Sequence, residues 1–304
     1  MNAKRLNQAS YYEASARARI AGLVDAGSFD EFCPPALQQT SPHLALLDAP
    51  LAFDDGVVVG SARMDNRPIL IAAQEGRFNG GSVGEVHGAK IRGLLIRAVR
   101  EKPAAVILLV DSGGVRLHEA NAGLIAISEI MRALLDAQAA GIPVIAVVGG
   151  SCGAFGGMGI VTRMCDVVVM SEEGRLSLSG PEVIETVKGV GEFDAKDKAL
   201  VWRTTGGKLR RTLGEAAYLV DDNLDAFRST LAEILGIARP DNALAALKAD
   251  QAALTARRST LADSADGLDI WRRAGFPAPE QVPMLDTDTF NILLAAHPLE
   301  LAHE

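Results

Sequence analysis

Apolar positions fall at helical spacing over residues 11–24, with Ser10 placed to cap that helix and Gly27 placed to stop it. A loop with the sequence CPPALQQTSPH follows. Two β-rich runs then flank Asp65-Asn66 and predict a hairpin. From there one unit recurs three times, a short apolar strand, a glycine loop and a helix. The strands are residues 69–73, 104–110 and 143–148, and the loops read EGRFNGGSVGEVHG, DSGGVR and GGSCGAFGGMG. The helices cover 85–100, 117–139 and a short stretch reaching Met164, after which 167–170 add a further strand. In the second helix Leu117, Leu124, Ile127, Met131 and Leu134 lie at helical spacing, and Gly141 and Pro143 end it. The strands are unbroken apolar runs, not alternating ones, which predicts parallel pairing with both faces covered. The pattern is α/β with right-handed crossovers. After Met170 it loosens into short helices and charged, glycine-rich loops, then an amphipathic helix over 222–237. An alanine-rich helix runs from Pro240 to about Arg258, followed by an irregular tail that either packs back or holds a partner.

Composition narrows the class. The chain has 304 residues, 48% of them hydrophobic, which is ample for a core and suits one large α/β domain or two small ones. No apolar run approaches the roughly 20 residues that span a bilayer, and the N-terminus lacks the apolar stretch of a secretory signal. Cys33, Cys152 and Cys165 form no CxxC and no even set, which argues against a disulfide framework and a zinc site, and for a reducing cytoplasm. The net charge of −8 argues against a nucleic-acid partner. It leaves room for an anionic substrate, which needs only local donors.

The glycine loops carry the candidate chemistry. In a parallel sheet functional groups gather beyond the carboxyl ends of the strands, and each loop sits there and opens a helix. Helix N-termini supply unpaired N–H groups and about half a unit of positive charge. Glycine lets a substrate oxygen approach those amides without a Cβ in the way. Two loops from neighbouring strands can aim an amide each at one oxygen, which makes an oxyanion hole. No loop has the GxxxxGK[ST] of a phosphate loop, and GAFGGMG has neither the spacing nor the position of a dinucleotide fingerprint. There is no G-x-S-x-G elbow around Ser112 or Ser151. The five histidines, His43, His87, His118, His297 and His303, show no metal-ligand spacing. His87 and His118 fall beside glycine loops as solvent-facing or capping residues, or else as proton donors. Cys152 reads as a small buried cysteine. Without a nucleophile or base, the pattern favours chemistry that needs only a place for negative charge.

These motifs resemble the carboxyltransferase branch of the crotonase-like superfamily. RARIAGLVDAGSFDEF resembles its entry helix and turn, GGSVGEVHGAKI its first glycine loop, SGGVRLHE its SGG-x-R-x-x-E loop and SGPEVIETV its GP-x-VI-x-x-T segment. TTGGKLRRTLGEAAYLVDDN resembles a later stretch but departs at 208–211 from the usual histidine-bearing pattern. The likeness spans roughly 16–237. Within the branch the sequence resembles most the β subunits of biotin-independent malonate decarboxylases, because it covers one carboxyltransferase half and lacks an N-terminal CxxC zinc ribbon.

The resemblance implies an α/β, crotonase-like (ClpP/crotonase) fold of repeated ββα units, of the carboxyltransferase N-half type. That domain would cover 1–238, with a C-terminal helical extension and tail over 239–304. The implied activity is decarboxylation of malonyl-[acyl-carrier protein] to acetyl-[acyl-carrier protein]. The substrate would be held on a phosphoribosyl-dephospho-CoA prosthetic group of the carrier, or as a CoA thioester, with no cofactor or metal bound directly. The implied partners are a γ subunit resembling the other carboxyltransferase half, the acyl-carrier protein, and an α acyl-carrier-protein transferase subunit, with no nucleic acid and no membrane. The alternatives are one half of a biotin-dependent acyl-CoA carboxyltransferase, or a non-catalytic subunit that binds carrier protein. Loop amides at Gly113 and Gly114, and at Gly156 and Gly157, are the expected oxyanion donors. Gly81, Ser82, Ser112, Arg116, Gly153 and Ala154 are the expected substrate contacts. Arg116 either holds a substrate carboxylate or braces its loop through Glu119; the brace is preferred, since a cation on the carboxylate opposes loss of CO₂. Lys90, Arg97 and Arg100, with the KLRR run, are candidate docking surfaces for an acidic carrier, against the plainer reading of a solvated helix face.

Overall fold

Seven strands form one mixed sheet in the order β1 to β7. β1 (Asp30–Phe32), β2 (Val57–Met64) and β3 (Arg67–Gln74) pair antiparallel. From β3 onward β4 (Ala105–Val110), β5 (Val144–Val148), β6 (Val167–Ser171) and β7 (Tyr218–Val220) run parallel. The structure is a computed structural model and describes residues 9–37, 40–46, 55–236 and 243–300. The helices are α1 (Ala16–Leu23), α2 (Pro42–Leu46), α3 (Glu85–Glu101), α4 (Ala122–Ala139), α5 (Gly156–Met164) and α6 (Pro181–Lys188). They continue with α7 (Lys198–Thr205), α8 (Gly207–Thr212), α9 (Leu224–Ile234), α10 (Ala243–Thr260), α11 (Gly267–Arg273) and α12 (Thr287–Ala296).

The unbroken apolar runs have the expected cause. On β4, Val106, Leu108 and Val110 enter the core under α3 and α4, while Ala105, Ile107 and Leu109 enter the core under α1 and α9. Every residue of β4 and β5 is buried, so period-two alternation of polarity has nothing to select for. The hairpin turns where expected: Met64 pairs with Arg67, and Asp65 and Asn66 have φ of 48° and 62°, as a two-residue I′ turn requires.

Several expectations need correction. Helix α1 starts at Ala16 and is capped by Ser15, whose side chain accepts from the Ala18 N–H. Ser10 instead donates to Asp222 at 2.5 Å and accepts from the Glu13 N–H. Gly27 lies beyond the helix end, since α1 is closed by Val24 in extended conformation. Helix α4 starts at Ala122, not at 117, because Leu117–Glu119 form a 3₁₀ turn and Ala120 has φ of +51°. Leu117 and Leu124 are exposed. The face turned inward carries Ile127, Ile130 and Leu134 as well as Gly123, Ala126 and Ala133, and its small residues let α3 and α4 approach closely: a Cβ on Gly88 would lie 2.3 Å from the Ala126 Cβ. Strands β1 and β7 carried no signal in the sequence.

The C-terminal tail packs back. Ile270 and Trp271 of α11, Phe276, and Phe290 and Leu294 of α12 join the core under α3 and α4, and Trp271 Nε1 donates to Thr212 Oγ1 at 2.9 Å. The expected domain boundary at 238/239 and the start of the alanine-rich helix at Pro240 lie outside the described residues, as does His303, and the helix expected over 222–237 is α9, Leu224–Ile234.

Candidate active site

The three glycine loops follow β3, β4 and β5 and are stitched to one another at the carboxyl end of the sheet. Parallel bridges join Val83 to Val115, Ser112 to Ala154, and Ala154 to Leu176. Between the first and second loops, the Val83 N–H donates to Gly114 at 2.9 Å and the Arg116 N–H to Val83 at 3.0 Å. Between the second and third, the Ser112 N–H donates to Gly153 at 2.6 Å and the Phe155 N–H to Ser112 at 2.9 Å. The structure thus brings Gly81, Ser82, Ser112, Gly113, Gly114, Arg116, Gly153, Ala154, Gly156 and Gly157 onto one interlocked set of loops.

Hydrogen-bond accounting separates amides that are engaged from those that are free. The Gly113 N–H donates to Gly80 at 2.8 Å, and the Gly156 N–H to Leu178 at 2.8 Å. The same holds for Gly81 with Phe78, Ser82 with Asn79, Gly153 with Gly150, and Ala154 with Arg175. These amides hold the loops together, and of the four expected oxyanion donors Gly113 and Gly156 are already occupied. The Gly114 N–H makes only a long contact, 3.3 Å, to Ser112 Oγ. Among the described residues the Gly157 N–H has no acceptor, as expected in the first turn of α5. The Val115 N–H has none either. The two free regions are adjacent, since a Cβ on Gly156 would lie 3.3 Å from the Gly114 Cα. Gly156 has φ of +58° and Gly114 of +142°, conformations that L side chains rarely adopt. Val115, a free amide on a residue that is not glycine, was not among the expected donors. Its signal was its place in the chain, one residue past the glycine pair.

Arg116 is held as a brace in this structure. Its side chain is fully buried between Asp55 and Glu119, Nε donates to Ser82 at 3.0 Å, and Nη2 donates to the Asp55 carbonyl at 2.9 Å. Glu119 Oε2 in turn accepts from the Glu85 N–H at 2.7 Å, at the start of α3. Burial raises the Asp55 carboxyl despite the opposing pull of Arg116. Asp55 also accepts from the His87 N–H at 2.8 Å. His87 is fully buried, which corrects the solvent-facing expectation; burial, then the charges of Arg116 and Lys90, hold its ring well below the usual range and therefore neutral. His118 is exposed.

A second buried polar group lies at the ends of β3 and β4. Asp111 accepts from Arg19 Nη1 at 2.8 Å on one oxygen and from the Cys152 N–H at 2.6 Å on the other. The Asp111 N–H donates to Gln74 Oε1 at 3.1 Å, and Gln74 Nε2 meets His87 Nε2 at 2.9 Å. Because the Gln74 oxygen is an acceptor, its nitrogen donates, and the neutral His87 accepts at Nε2. Burial and the Asp111 charge push the Cys152 thiol up, so it stays protonated and is no nucleophile. Of the expected basic docking residues Arg100 is exposed, while others are engaged within the fold. Lys90 is buried with Nζ on the Val57 carbonyl at 2.6 Å, and Arg97 pairs with Glu101 and lies over the Phe32 ring. Lys208 is buried against Glu172 and the Pro283 and Leu285 carbonyls, and Arg210 pairs with Glu215.

A mixed sheet with a parallel core and three stitched amide-bearing loops at the carboxyl end of that core is the crotonase-like arrangement expected from the sequence. The profile of the carboxyl transferase domain family matches residues 12–251, and the chain belongs to that family. It is 40% identical to the malonyl-S-ACP:biotin-protein carboxyltransferase of Malonomonas rubra, over 94% of this chain and 95% of that one. It is also similar to a chain in the crystal structure of a Pseudomonas malonate decarboxylase hetero-tetramer in complex with malonate, at 39% identity and a TM-score of 0.78, covering 86% of this chain and 94% of that chain. Similarity to the methylmalonyl-CoA carboxyltransferase 12S subunit of Propionibacterium freudenreichii is 29% over 60% of this chain and 34% of that subunit. No helix among the described residues is long and apolar enough to cross a membrane.

Proposed function

We propose that this chain is the enolate-forming subunit that decarboxylates a malonyl thioester carried on an acyl-carrier protein. The observation that carries the reading is the adjacency of unengaged amides, Val115 and the weakly held Gly114 from one loop and Gly157 from the N-terminus of α5. In the step, the bond between the α-carbon and the carboxylate breaks and CO₂ leaves. The electron pair moves through the α-carbon to the thioester oxygen, and that enolate oxygen takes hydrogen bonds from the loop amides. Removing one such donor costs about 3–4 kcal/mol of transition-state stabilisation, a hundred- to thousandfold in rate. A proton then enters at the α-carbon, and the donor is assigned to a γ subunit resembling the other carboxyltransferase half. The substrate would be held on the phosphoribosyl-dephospho-CoA group of the carrier or as a CoA thioester, with an α subunit exchanging the acyl group between malonate and acetate. The hetero-tetramer named for the Pseudomonas relative supports a multi-subunit assembly of this kind.

A second reading is favoured by the Malonomonas relative, whose name is that of a carboxyltransferase to a biotin protein. The same enolate would form, but the carboxyl group would pass to biotin. One experiment separates the two: the chain, co-purified with its partner, is given malonyl thioester, and CO₂ is followed with and without avidin. Release unaffected by avidin supports the first reading. Turnover that appears only with a biotin acceptor moves the function to the second, and no turnover under either condition overturns both.

A further inference from the structure

We propose that Asp111 is a positioning residue that sets the third glycine loop against the second, so that the Gly157 amide faces the Gly114-Val115 amides. The inference rests on the oxyanion reading above and deepens it. Asp111 ends β4 and begins the second loop, yet its carboxylate reaches across to the third loop and accepts the Cys152 N–H at 2.6 Å. Cys152 lies five residues before Gly157, on the loop that leads into the N-terminus of α5. The other carboxylate oxygen is held by Arg19 of α1 at 2.8 Å, and both side chains are 2% exposed. Arg19 is itself fixed, because Nε donates to the Tyr11 carbonyl at 2.9 Å and the guanidinium lies 4.6 Å from the Tyr11 ring centroid. The surrounding sequence makes room for this carboxylate. A Cβ on Gly150 would lie 2.2 Å from Asp111 Cγ, and one on Gly76 would lie 2.6 Å from Asp111 Oδ2. Glycines in the first and third loops therefore close around a side chain of the second. A plain backbone turn needs no such arrangement, and a buried ion pair needs no amide from the third loop.

The test compares two double variants that both remove the buried charges, so neither leaves an orphaned ion. Arg19→Gln/Asp111→Asn keeps an oxygen that accepts from Cys152; Arg19→Gln/Asp111→Ser is too short to reach it. Each is prepared as the complex with the partner subunit, and kcat and KM are measured for CO₂ release from malonyl thioester. Hydrogen exchange is followed at residues 150–157. The serine double is expected to show kcat at least tenfold below the asparagine double, KM within twofold, and amide exchange at least tenfold faster across 150–157. Equal kcat and equal exchange in the two doubles overturn the proposal. If the wild-type complex releases no CO₂, the functional reading fails, while the exchange comparison still decides the positioning claim. Should the serine double not fold, the wild-type protein decides alone: a Cys152 amide exchanging as fast as an unstructured one overturns the tether.

Discussion

The second and third glycine loops have similar composition and are held by different means. The second carries its own anchor. Arg116 turns back into the interior, meets Asp55 and Glu119, and donates to Ser82 of the first loop. The third holds no buried ion pair of its own and depends on its neighbours, through the Cys152 N–H on Asp111 and the Arg175 guanidinium on the Ser151 carbonyl. Glycine leaves amides accessible but does not fix where they point, and in both loops the direction comes from a buried charge. Which charge belongs to which loop sets what a substitution breaks.

The largest effect is expected where a loop carries its own ion cluster. Arg116→Met leaves Asp55 and Glu119 buried without their cation, and should lower the unfolding free energy by about 3–5 kcal/mol in urea titration. A loss under 1 kcal/mol would remove the distinction between the loops. Next in size is the free amide. Val115→Pro deletes that N–H while leaving the Gly113–Gly80 and Val83–Gly114 hydrogen bonds intact, and should cut kcat about a hundredfold, or about 3 kcal/mol, with little change in KM. An equal fall in a variant with non-cooperative unfolding would not count in its favour, so both are measured on the same preparation.

Smaller again is a pH effect from His87, which joins the two anchors through Gln74 and Asp55. Its ring is held neutral well below the usual 6.5 by burial. The unfolded chain therefore takes up a proton below about pH 6.5 that the folded chain refuses. Stability should fall as pH drops from 6.5 toward the folded-state value, by at most about 1.4 kcal/mol per pH unit. A flat melting temperature between pH 6.5 and 5.5 would contradict it. The smallest effect is expected away from both loops. Arg132 pairs with Glu129 and Asp136 on the exposed side of α4, and Arg132→Ala should change stability by less than about 0.5 kcal/mol.

The parallel strands, the hairpin turn and the three loops at one sheet end were legible because burial on two faces erases polar alternation and because turn residues mark the ends. Helix α4 was misread at its start. Ile127 and Leu134 of the predicted stripe do face the core, but Leu117 and Leu124 do not, because α4 meets α3 closely at Ala126 against Gly88, a constraint invisible in either helix alone. The amides of the expected donors Gly113 and Gly156 are engaged elsewhere, which the sequence does not display for a related reason. A glycine advertises a bare amide, and only a partner on another loop, Gly80 or Leu178, reveals that the amide is taken. Val115 went unnoticed because its side chain drew no attention to its backbone.

By itself the sequence determined the α/β architecture, the sheet's parallel core and the grouping of glycine loops, since these follow from local periodicity and turn chemistry. Only the tertiary structure decided which amides remain free, that Arg116 is a brace, and that Asp111 reaches from one loop to another. Those outcomes depend on pairs far apart in the chain, Arg19 with Asp111 and Asp111 with Cys152. Their contact energy exists only once the sheet has brought them together.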